Sequence, residues 1–318
     1  MLTSADQFAD WLVSGLELRS TLFHLGRYCG TYRASTAGYE RASFHLVLAG
    51  TCWLHLAARN GRSAQSIQLF AGDSVFLLQD RAHCLTPDER APANDEFDVR
   101  IGQMTPLEDG AKSPSSVSLA CGFFEFRSDV REGIRGVLPD HIVASSNDEW
   151  LAGARAIFDL IRAEAARTKD GLSPIINRLT DVLFLYALRA VAMTEALAPG
   201  LWSVMRREEF APLVNAVIKT PGADWNTSTM ASFCHMSRAR FCRQFVDVCG
   251  VPPARFLALL RMKEAAEMIR AGASVLNAAE HVGYQSESAF AQAFKRVTGV
   301  APGTFRRDRL STTEASVH

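Results

Sequence analysis

Residues 225–309 decide the fold of this chain: STMASFCHMSRARFCRQFVDVCGVPP (228–253) is followed by SVLNAAEHVGYQSESAFAQAFKRVTGVAP (274–302). In each part a short run of periodic apolar residues is broken by a turn, and a second run ends at a glycine and a proline. Ser237 and Ser274 stand where their hydroxyl oxygens can cap the start of a helix. The pattern therefore predicts two helix-turn-helix units in tandem.

The second helix of each unit, predicted at Arg238–Val248 and Glu287–Val297, should bury an apolar stripe and expose a polar face. The inward residues are expected to be Phe241, Phe245 and Val248 in the first helix, and Ala289, Phe290, Ala293, Phe294 and Val297 in the second. The outward residues are expected to be Arg238, Ala239, Cys242 and Arg243 in the first, and Glu287, Ser288, Ala291, Gln292 and Lys295 in the second. Arginine matches guanine edges and glutamine matches adenine edges, so this face fits a DNA major groove. A plain helical bundle is the alternative for one such unit, but two units with the same stop residues favour DNA binding.

Motifs in this stretch resemble the signature of AraC/XylS-type transcription regulators over about residues 205–309. They are Val282-Gly283-Tyr284, Phe290 with Phe294-Lys295, and Gly299-Val300 with Pro302 and Phe305-Arg306, preceded by Ser237-Arg238, Arg240-Phe241, Arg243, Phe245, Gly250-Val251 and Pro253. The resemblance implies recognition helices in successive major grooves, joined by a linker helix at about Ala254–Ala271. It implies base-contacting roles for Ala239, Cys242, Arg243, Glu287, Ser288 and Gln292. The small side chains among them offer methyl or thiol contacts rather than hydrogen bonds.

Charge is distributed unevenly along the 318 residues, although the formal net charge is zero. From Leu201 onward there are 15 Lys and Arg against 10 Asp and Glu, or +5, which leaves −5 for the preceding part. A basic C-terminal part behind an acidic N-terminal part fits a DNA-binding domain attached to a separate partner domain. Seven cysteines without a CxxC pair suggest reduced thiols, and we expect a cytoplasmic protein without a membrane segment.

The N-terminal part is expected to begin with a helix at Ser4–Val13, which the segment Glu17–His24 follows, and then to be rich in short strands. Strands are predicted at Cys29–Tyr32, Phe44–Leu56 with a turn at Gly50, Ile67–Leu69, Ser74–Leu78, Ala82–Leu85, Phe97–Met104 and Val117–Phe126. Asn60-Gly61 is a hairpin-turn signal, and Glu108–Ser116 is expected to be a loop. Short strands at this spacing indicate a small barrel or sandwich. Phe44-His45, Cys52-Trp53-Leu54, Gly72-Asp73 and Ala82-His83 resemble the cupin-type sensor domain of AraC-like regulators over about residues 20–145.

Two helices are predicted after the strands, at Trp150–Arg167 and Pro174–Ala196. The second carries an apolar face made of Ile175, Ile176, Leu179, Val182, Leu183, Tyr186 and Ala190. The face predicts either dimerisation, as in related regulators, or packing against the barrel.

Histidines on or near the strands raise the possibility of a metal site, because three neutral imidazoles can hold zinc or iron. His45, His55 and His83 are the candidates, but the usual cupin pattern of two histidines one residue apart is absent. We therefore expect packed or hydrogen-bonded core histidines, no metal and no catalytic residues. A metal-dependent cupin enzyme is the less favoured alternative.

A different pair of motifs resembles the two halves of the cyclic di-GMP site of PilZ domains. Arg33-Ala34-Ser35-Thr36-Ala37-Gly38 contains S-x-x-G, and Arg131-Glu132-Gly133-Ile134-Arg135 is R-x-x-x-R. Arginine forks match phosphate oxygens and guanine acceptors, and a glycine turn lets a ligand approach the backbone. The resemblance implies that Arg33, Ser35, Gly38, Arg131 and Arg135 bind this nucleotide, although the motif order is reversed. A sugar, an aromatic acid or another small effector inside the barrel is the alternative.

The sequence thus predicts an α+β chain of two domains, with a cupin-like barrel, flanking dimerisation helices and an all-α double helix-turn-helix. We place the effector domain at 1–145, the helical dimerisation region at 146–200, the DNA-binding domain at 201–310 and a disordered tail at 311–318. The expected function is a DNA-binding transcription regulator, an activator rather than an enzyme. The expected partners are double-stranded DNA, an effector with cyclic di-GMP as the first candidate, a second copy of the chain and RNA polymerase. An architectural DNA binder is disfavoured, because it would need no sensor domain.

Overall fold

A computed structural model describes residues 18–59, 63–93, 96–97, 99–103, 105–107, 116–126, 139–148, 152–168, 173–193 and 201–307. The chain divides into two compact units. The first unit contains the described residues up to Met193 except Phe126 and Pro139, which are grouped with the second unit, and the second contains those from Leu201 onward. The predicted helix Ser4–Val13, the Asn60-Gly61 turn, residues 108–115 and the arginines Arg131 and Arg135 lie outside the described residues.

Antiparallel strands in two sheets form the core of the first unit. One sheet has the described order β1-β7-β2-β5-β8 and the other has the order β4-β3-β6. The strands are β1 Leu18–Cys29, β2 Ala42–Ala49, β3 Thr51–Leu56, β4 Gln65–Phe70, β5 Ser74–Leu77, β6 His83–Thr86, β7 Ser116–Phe126 and β8 His141–Ala144. Strands β2 to β7 lie close to where alternation predicted them, which confirms a β-rich, cupin-like N-terminal domain.

Turn chemistry explains how the strands change direction. Gly50 has a positive φ of 78° between β2 and β3, a conformation that glycine adopts without strain. At the predicted corner before β5, Gly72 has a φ of 98°. The Asp73 carboxylate there accepts hydrogen bonds from the amides of Phe70 and Ser146, both at 2.8 Å. This buried carboxylate therefore joins the β4–β5 turn to the end of β8.

Two strand predictions were wrong. The first strand begins at Leu18 rather than at Cys29, because Ser20 faces inward and interrupts the apolar alternation. The predicted strand Phe97–Met104 forms isolated bridges instead, between Ile101 and Arg33 and between Thr105 and Arg27. Phe97 is buried, but Val99 and Ile101 on the same side of the predicted strand are exposed, so the apolar face is buried only at its first residue.

Helices α1 Ala152–Arg167 and α2 Pro174–Met193 belong to the same unit as the strands. Helix α2 packs on β1 and β8, and Phe184 lies 5.4 Å from Phe76 and 5.2 Å from Phe124, between ring centroids. The buried stripe of α2 differs from the predicted one: Ile175 and Val182 are exposed. The buried residues include Ile176, Thr180, Asp181, Leu183, Phe184, Ala187, Leu188 and Ala190. Packing on the sheet thus accounts for much of the apolar character of α2.

The second unit consists of helices in its described part. The stretch predicted as Met205–Lys219 forms two helices, because Pro212 begins the second of them near its N-terminus. The helices are α3 Leu201–Met205, α4 Ala211–Lys219, α5 Thr227–Phe233, α6 Arg238–Cys249, α7 Pro253–Arg270, α8 Val275–His281 and α9 Glu287–Thr298. In the described part of the chain, no helix combines the length and the hydropathy needed to span a lipid bilayer.

Candidate nucleic-acid interface

The first helix-turn-helix unit, α5 and α6, is held by side-chain caps, of which Ser237 is one that the sequence predicts. The Asn226 side chain accepts hydrogen bonds from the amides of Ser228 and Thr229, and the Thr229 hydroxyl accepts one from the Asn226 amide. Ser237 accepts from the amide of Arg240 at the start of α6. Gly250 ends that helix with a φ of 76°, the left-handed conformation typical of a helix C-terminus.

The second unit, α8 and α9, uses the same devices. Ser274 caps α8 and Ser286 caps α9 through the amides of Asn277 and Ala289. Gly299 ends α9 with a φ of 86°. The second helices of the two units correspond residue by residue at an offset of 49, as in Ser237 with Ser286 and Gly250 with Gly299.

Aromatic residues at matching positions form the two cores. In the first helix-turn-helix unit, the ring centroid of Phe245 lies 5.4 Å from that of Phe241 and 5.2 Å from that of Phe256. In the second helix-turn-helix unit, the ring centroid of Phe294 lies 5.4 Å from that of Phe290 and 5.2 Å from that of Phe305. The six rings are buried, so each second helix is anchored by one face and leaves the other face free.

The N-terminal turns of α6 and α9 are exposed throughout, at residues 237–240 and 285–289. A recognition helix contacts base edges mainly with its N-terminal residues, and the amides there favour phosphate. The predicted DNA-contacting residues lie on this exposed side. Arg238, Ala239, Arg243, Glu287, Ser288, Gln292 and Lys295 are exposed, and Cys242 and Ala291 are half-buried.

Three residues predicted to face inward differ from that expectation. Ala289 is exposed, and Val248 and Val297 are half-buried. Ala289 lies in the protruding first turn of α9, beyond the edge of the core that buries Ala293 one turn later. Sequence periodicity cannot show where a neighbouring helix ends, so this error is an expected one.

Two features of the helical domain were missed by the sequence analysis. Arg240 lies in the exposed first turn of α6 and adds a positive charge there. Arg261 on α7 donates hydrogen bonds to the carbonyls of Pro221 at 2.8 Å and Ala223 at 2.9 Å. Residues 221–223 also lie against the turn of the second unit, since a Cβ on Gly283 would come within 2.8 Å of the Gly222 carbonyl oxygen. Arg261 therefore fixes the segment that precedes the first unit against the second unit.

The residues predicted to bind cyclic di-GMP are placed only in part. The Arg33 guanidinium is engaged by Glu96, with 3.0 Å between the charged atoms. Ser35 is buried, and its hydroxyl donates to the His83 carbonyl at 2.6 Å. Gly38 is exposed with a φ of 85°, and its amide donates to Asp80 at 3.1 Å. The structure brings Arg33, Ser35 and Gly38 into one loop, and the positions of Arg131 and Arg135 stay untested.

The candidate histidines do not form one cluster. The Nε2 atoms of His45 and His83 are 2.9 Å apart, and Thr36 lies within 3.2 Å of both. His83 Nδ1 lies 2.6 Å from the Arg81 carbonyl, and His45 Nδ1 lies 3.0 Å from the Cys121 sulfur. His55 bonds Ser66 and Thr86 instead.

Hydrogen bonding fixes the protonation state of this buried pair. His83 Nδ1–H donates a hydrogen bond to the Arg81 carbonyl, which leaves His83 Nε2 as an acceptor for His45 or Thr36. Burial lowers the pKa of His83 to about 4 and holds the pKa of His45 well below its usual value. Both rings are therefore neutral at neutral pH. Among the described residues no three His, Cys, Asp or Glu side chains converge as metal ligands, so these residues do not fit a cupin metal.

Comparisons with known proteins agree with this two-unit organisation. A family model described as cupin matches residues 9–193, and a second, described as a helix-turn-helix domain, matches residues 230–308. An uncharacterised HTH-type transcriptional regulator of Haemophilus influenzae is 26% identical over 83% of this chain and 85% of its own length. The HTH-type transcriptional regulator MtrA of Neisseria gonorrhoeae is 27% identical over 83% and 85%. Among solved structures, ToxT from Vibrio cholerae covers 92% of this chain and 97% of its own, at 12% identity and a TM-score of 0.36.

Proposed function

The chain belongs to the cupin family over residues 9–193 and carries a helix-turn-helix domain over residues 230–308, and on this premise we propose that it is an AraC-type transcription regulator in which a small effector in the N-terminal unit controls binding to two adjacent DNA sites. The observation that carries the DNA-binding part is the pair of fully exposed N-terminal turns on α6 and α9. A buried pair of phenylalanines anchors the opposite face of each helix in the core, so the N-terminal turn stays exposed. Effector binding would shift the population between arrangements that can and cannot place both helices on one duplex.

Arg243→Ala tests the reading of bases by α6. On a duplex selected by the wild type from a random pool, we expect affinity to fall by about 1–3 kcal/mol, because a bidentate arginine–guanine contact is lost. Fluorescence anisotropy at several salt concentrations measures both the affinity and its salt slope. Lys219→Ala, an exposed cation at the end of α4, is the control and should leave both unchanged. A lower salt slope with unaltered sequence preference would show that Arg243 contacts phosphate only.

We keep cyclic di-GMP as the proposed effector, with contacts from Gly38, Arg131 and Arg135. Arg33 and Ser35 already hold internal hydrogen bonds, so they would position the loop that carries Gly38. Tyr39, next to Gly38, is 42% exposed and offers a ring on which a guanine can stack. The second half of the proposed site, Arg131 and Arg135, follows β7 in the chain. Near the end of β7 the Glu125 carboxylate lies 2.7 Å from the Arg41 guanidinium, which places this strand end beside the loop that carries Gly38. Arg131 follows five residues after Phe126, within about 18 Å of extended chain.

Calorimetry with cyclic di-GMP decides this proposal. We expect saturable heat with the wild type and its loss in Arg131→Ala and Arg135→Ala, because each removes a phosphate-binding guanidinium. Arg167→Ala on α1 is the control. This nucleotide is excluded if the wild type gives no heat, or if both variants give the same heat as the wild type. A sugar or aromatic effector then remains as the alternative.

We further propose that the regulator acts as a homodimer and an activator that contacts RNA polymerase. The support for dimerisation is a set of exposed apolar side chains on α2 and α1, with Val182 at 41%, Ile175 at 55% and Leu160 at 56% exposure. Ile175 and Val182 are one heptad apart, the spacing of helices that pack side by side. Sedimentation of Val182→Glu should show a monomer where the wild type sediments as a dimer.

A further inference from the structure

A small pocket lies between α1 and the strand ends in the first unit, away from every residue considered so far as a ligand contact. Its volume is about 190 Å³. It is lined by the β4–β5 turn, the end of β8, the α1 residues Ala154, Arg155, Phe158, Asp159 and Arg162, and Leu183 of α2. We call it the α1 pocket.

The floor of the α1 pocket is apolar and buried. Ala144, Ala154, Phe158 and Leu183 are each less than 8% exposed. Engineered apolar cavities of about 150 Å³ hold benzene, so the α1 pocket has room for one ring or a short branched chain.

The rim of the α1 pocket is charged. Arg155, Asp159 and Arg162 follow one another at i, i+4 and i+7 on the same face of α1 as Phe158. The Arg155 Nε–H donates to the Ser146 carbonyl at 3.0 Å, which orients the guanidinium and leaves its two terminal amino groups for a ligand. Arg162 pairs with Asp159 at 3.1 Å, but both side chains are exposed, and such a pair yields readily to another anion. Two arginines against one aspartate give the rim a net positive charge.

The opposite wall of the pocket is rigid. Asp73 is buried, and one of its oxygens accepts from the Ser146 amide at 2.8 Å and from the Ser145 hydroxyl at 3.2 Å. Gly72 lets this wall close in, since a Cβ there would come within 2.7 Å of the Ser146 Cβ. A preformed wall lowers the entropy cost of binding a small ligand.

We propose that the α1 pocket binds a small monocarboxylate whose apolar part is about the size of one ring. The ring would rest on Phe158 and Leu183, and the carboxylate would meet the Arg155 and Arg162 guanidinium groups, whose planar forks match its two oxygens. The ligand touches both the β4–β5 turn and α1, so its binding stabilises one placement of α1 on the sheet. This site goes beyond the proposed nucleotide site and shares none of its residues.

Calorimetry on the full chain with cyclohexanecarboxylate tests the proposal, with the neutral cyclohexanecarboxamide as the matched probe. We expect saturable binding of the acid and at least tenfold weaker binding of the amide. Arg155→Gln should weaken binding of the acid about tenfold or more, and Ala154→Phe, which fills the floor, should abolish it. Arg167→Gln, on the same helix outside the pocket, should bind the acid as the wild type does.

Several outcomes overturn the proposal. These are no saturable heat with millimolar cyclohexanecarboxylate, equal affinity for acid and amide, or unchanged affinity in Arg155→Gln. If Ala154→Phe does not fold, as circular dichroism would show, the Arg155→Gln result decides alone. A titration of the folded variants with cyclic di-GMP separates the two sites: its heat should be the same in Arg155→Gln as in the wild type, whichever way the carboxylate result falls.

Discussion

At the scale of single residues, the two helix-turn-helix turns solve the same backbone problem with different side chains. His235 has a φ of 54° in the first turn, and Gly283 has a φ of 82° in the second. The amides that follow them, of Met236 and Tyr284, each donate at 2.9 Å to a carbonyl five residues back. A left-handed conformation costs an L-residue about 1–2 kcal/mol, whereas glycine adopts it freely.

We therefore expect His235→Gly to stabilise the helical domain that begins at Leu201 by about 0.5–1 kcal/mol, after the entropy cost of a glycine in the unfolded chain. Gly283→Ala should destabilise it by about 1–3 kcal/mol, because its Cβ would also meet the Gly222 carbonyl oxygen at 2.8 Å. Urea unfolding measures both changes. Gly303→Ala is the control, since its Cβ meets nothing within 4 Å. A destabilised His235→Gly would show that the histidine side chain contributes more than its backbone strain costs.

At the scale of elements, Arg261 connects the two helix-turn-helix units through the carbonyls of Pro221 and Ala223. Arg261→Met keeps an unbranched apolar stem but removes both hydrogen bonds. We expect a loss of about 1–3 kcal/mol in stability, because two hydrogen bonds from a charged donor are lost. Binding to a duplex that engages both α6 and α9 should weaken as well, because the relative placement of the helices loosens.

Urea unfolding and anisotropy on the selected duplex check this prediction, with Arg255→Met as a control at an exposed position of the same helix α7. If the two variants bind DNA equally well, Arg261 does not set the spacing of the recognition helices.

The elements that the sequence predicts best are those set by local chemistry. The serine caps at 237 and 274 and the glycine stops at 250 and 299 lie where they were expected, because capping depends on a few neighbouring residues. Strand β1 was missed because its inward Ser20 is satisfied by Asp181 of α2, 161 residues away. No local pattern reveals such a partner. The short strand β8 was missed because four residues carry too little alternation to be read.

The candidate sites were predictable to different degrees for the same reason. The outward residues of α6 and α9 follow from helical periodicity and lie on the exposed side as predicted. The internal contacts of Arg33 with Glu96, and of Ser35 with the His83 carbonyl, join residues 48 to 63 positions apart, which a motif cannot show. The separation of His55 from His45 and His83 likewise depends on which strand faces pair, and not on the residues themselves.

At the scale of the whole molecule, the strand-rich N-terminal unit and the helical C-terminal unit should respond differently to acid. In the first unit the pKa of buried His83 is lowered to about 4 by desolvation, and that of His45 is lowered too. Above the usual histidine pKa of about 6.5, both folded and unfolded rings are neutral and pH has no effect. Below it the two histidine rings are protonated in the unfolded chain but stay neutral in the folded domain, so the stability of this domain falls as pH drops from about 6.5 to about 4.

The loss attributable to His83 is about 3 kcal/mol at the lower end of this range. Hydrogen-exchange protection factors of β2, β5 and β6 should fall over that interval, and His83→Gln should flatten the trend. His281→Gln, at an exposed position of the second unit, should leave the trend in the first unit unchanged. Equal acid sensitivity in wild type and His83→Gln would place the cause elsewhere.

The offset of 49 residues between the second helices of the two units has a consequence for the tuning of specificity. The matching positions share their scaffold residues and differ in the residues proposed to contact DNA: Arg243 corresponds to Gln292, and Arg238 to Glu287. Each unit can therefore change its preferred bases without disturbing the other. An asymmetric operator, with two unlike halves, is the natural target of such a pair.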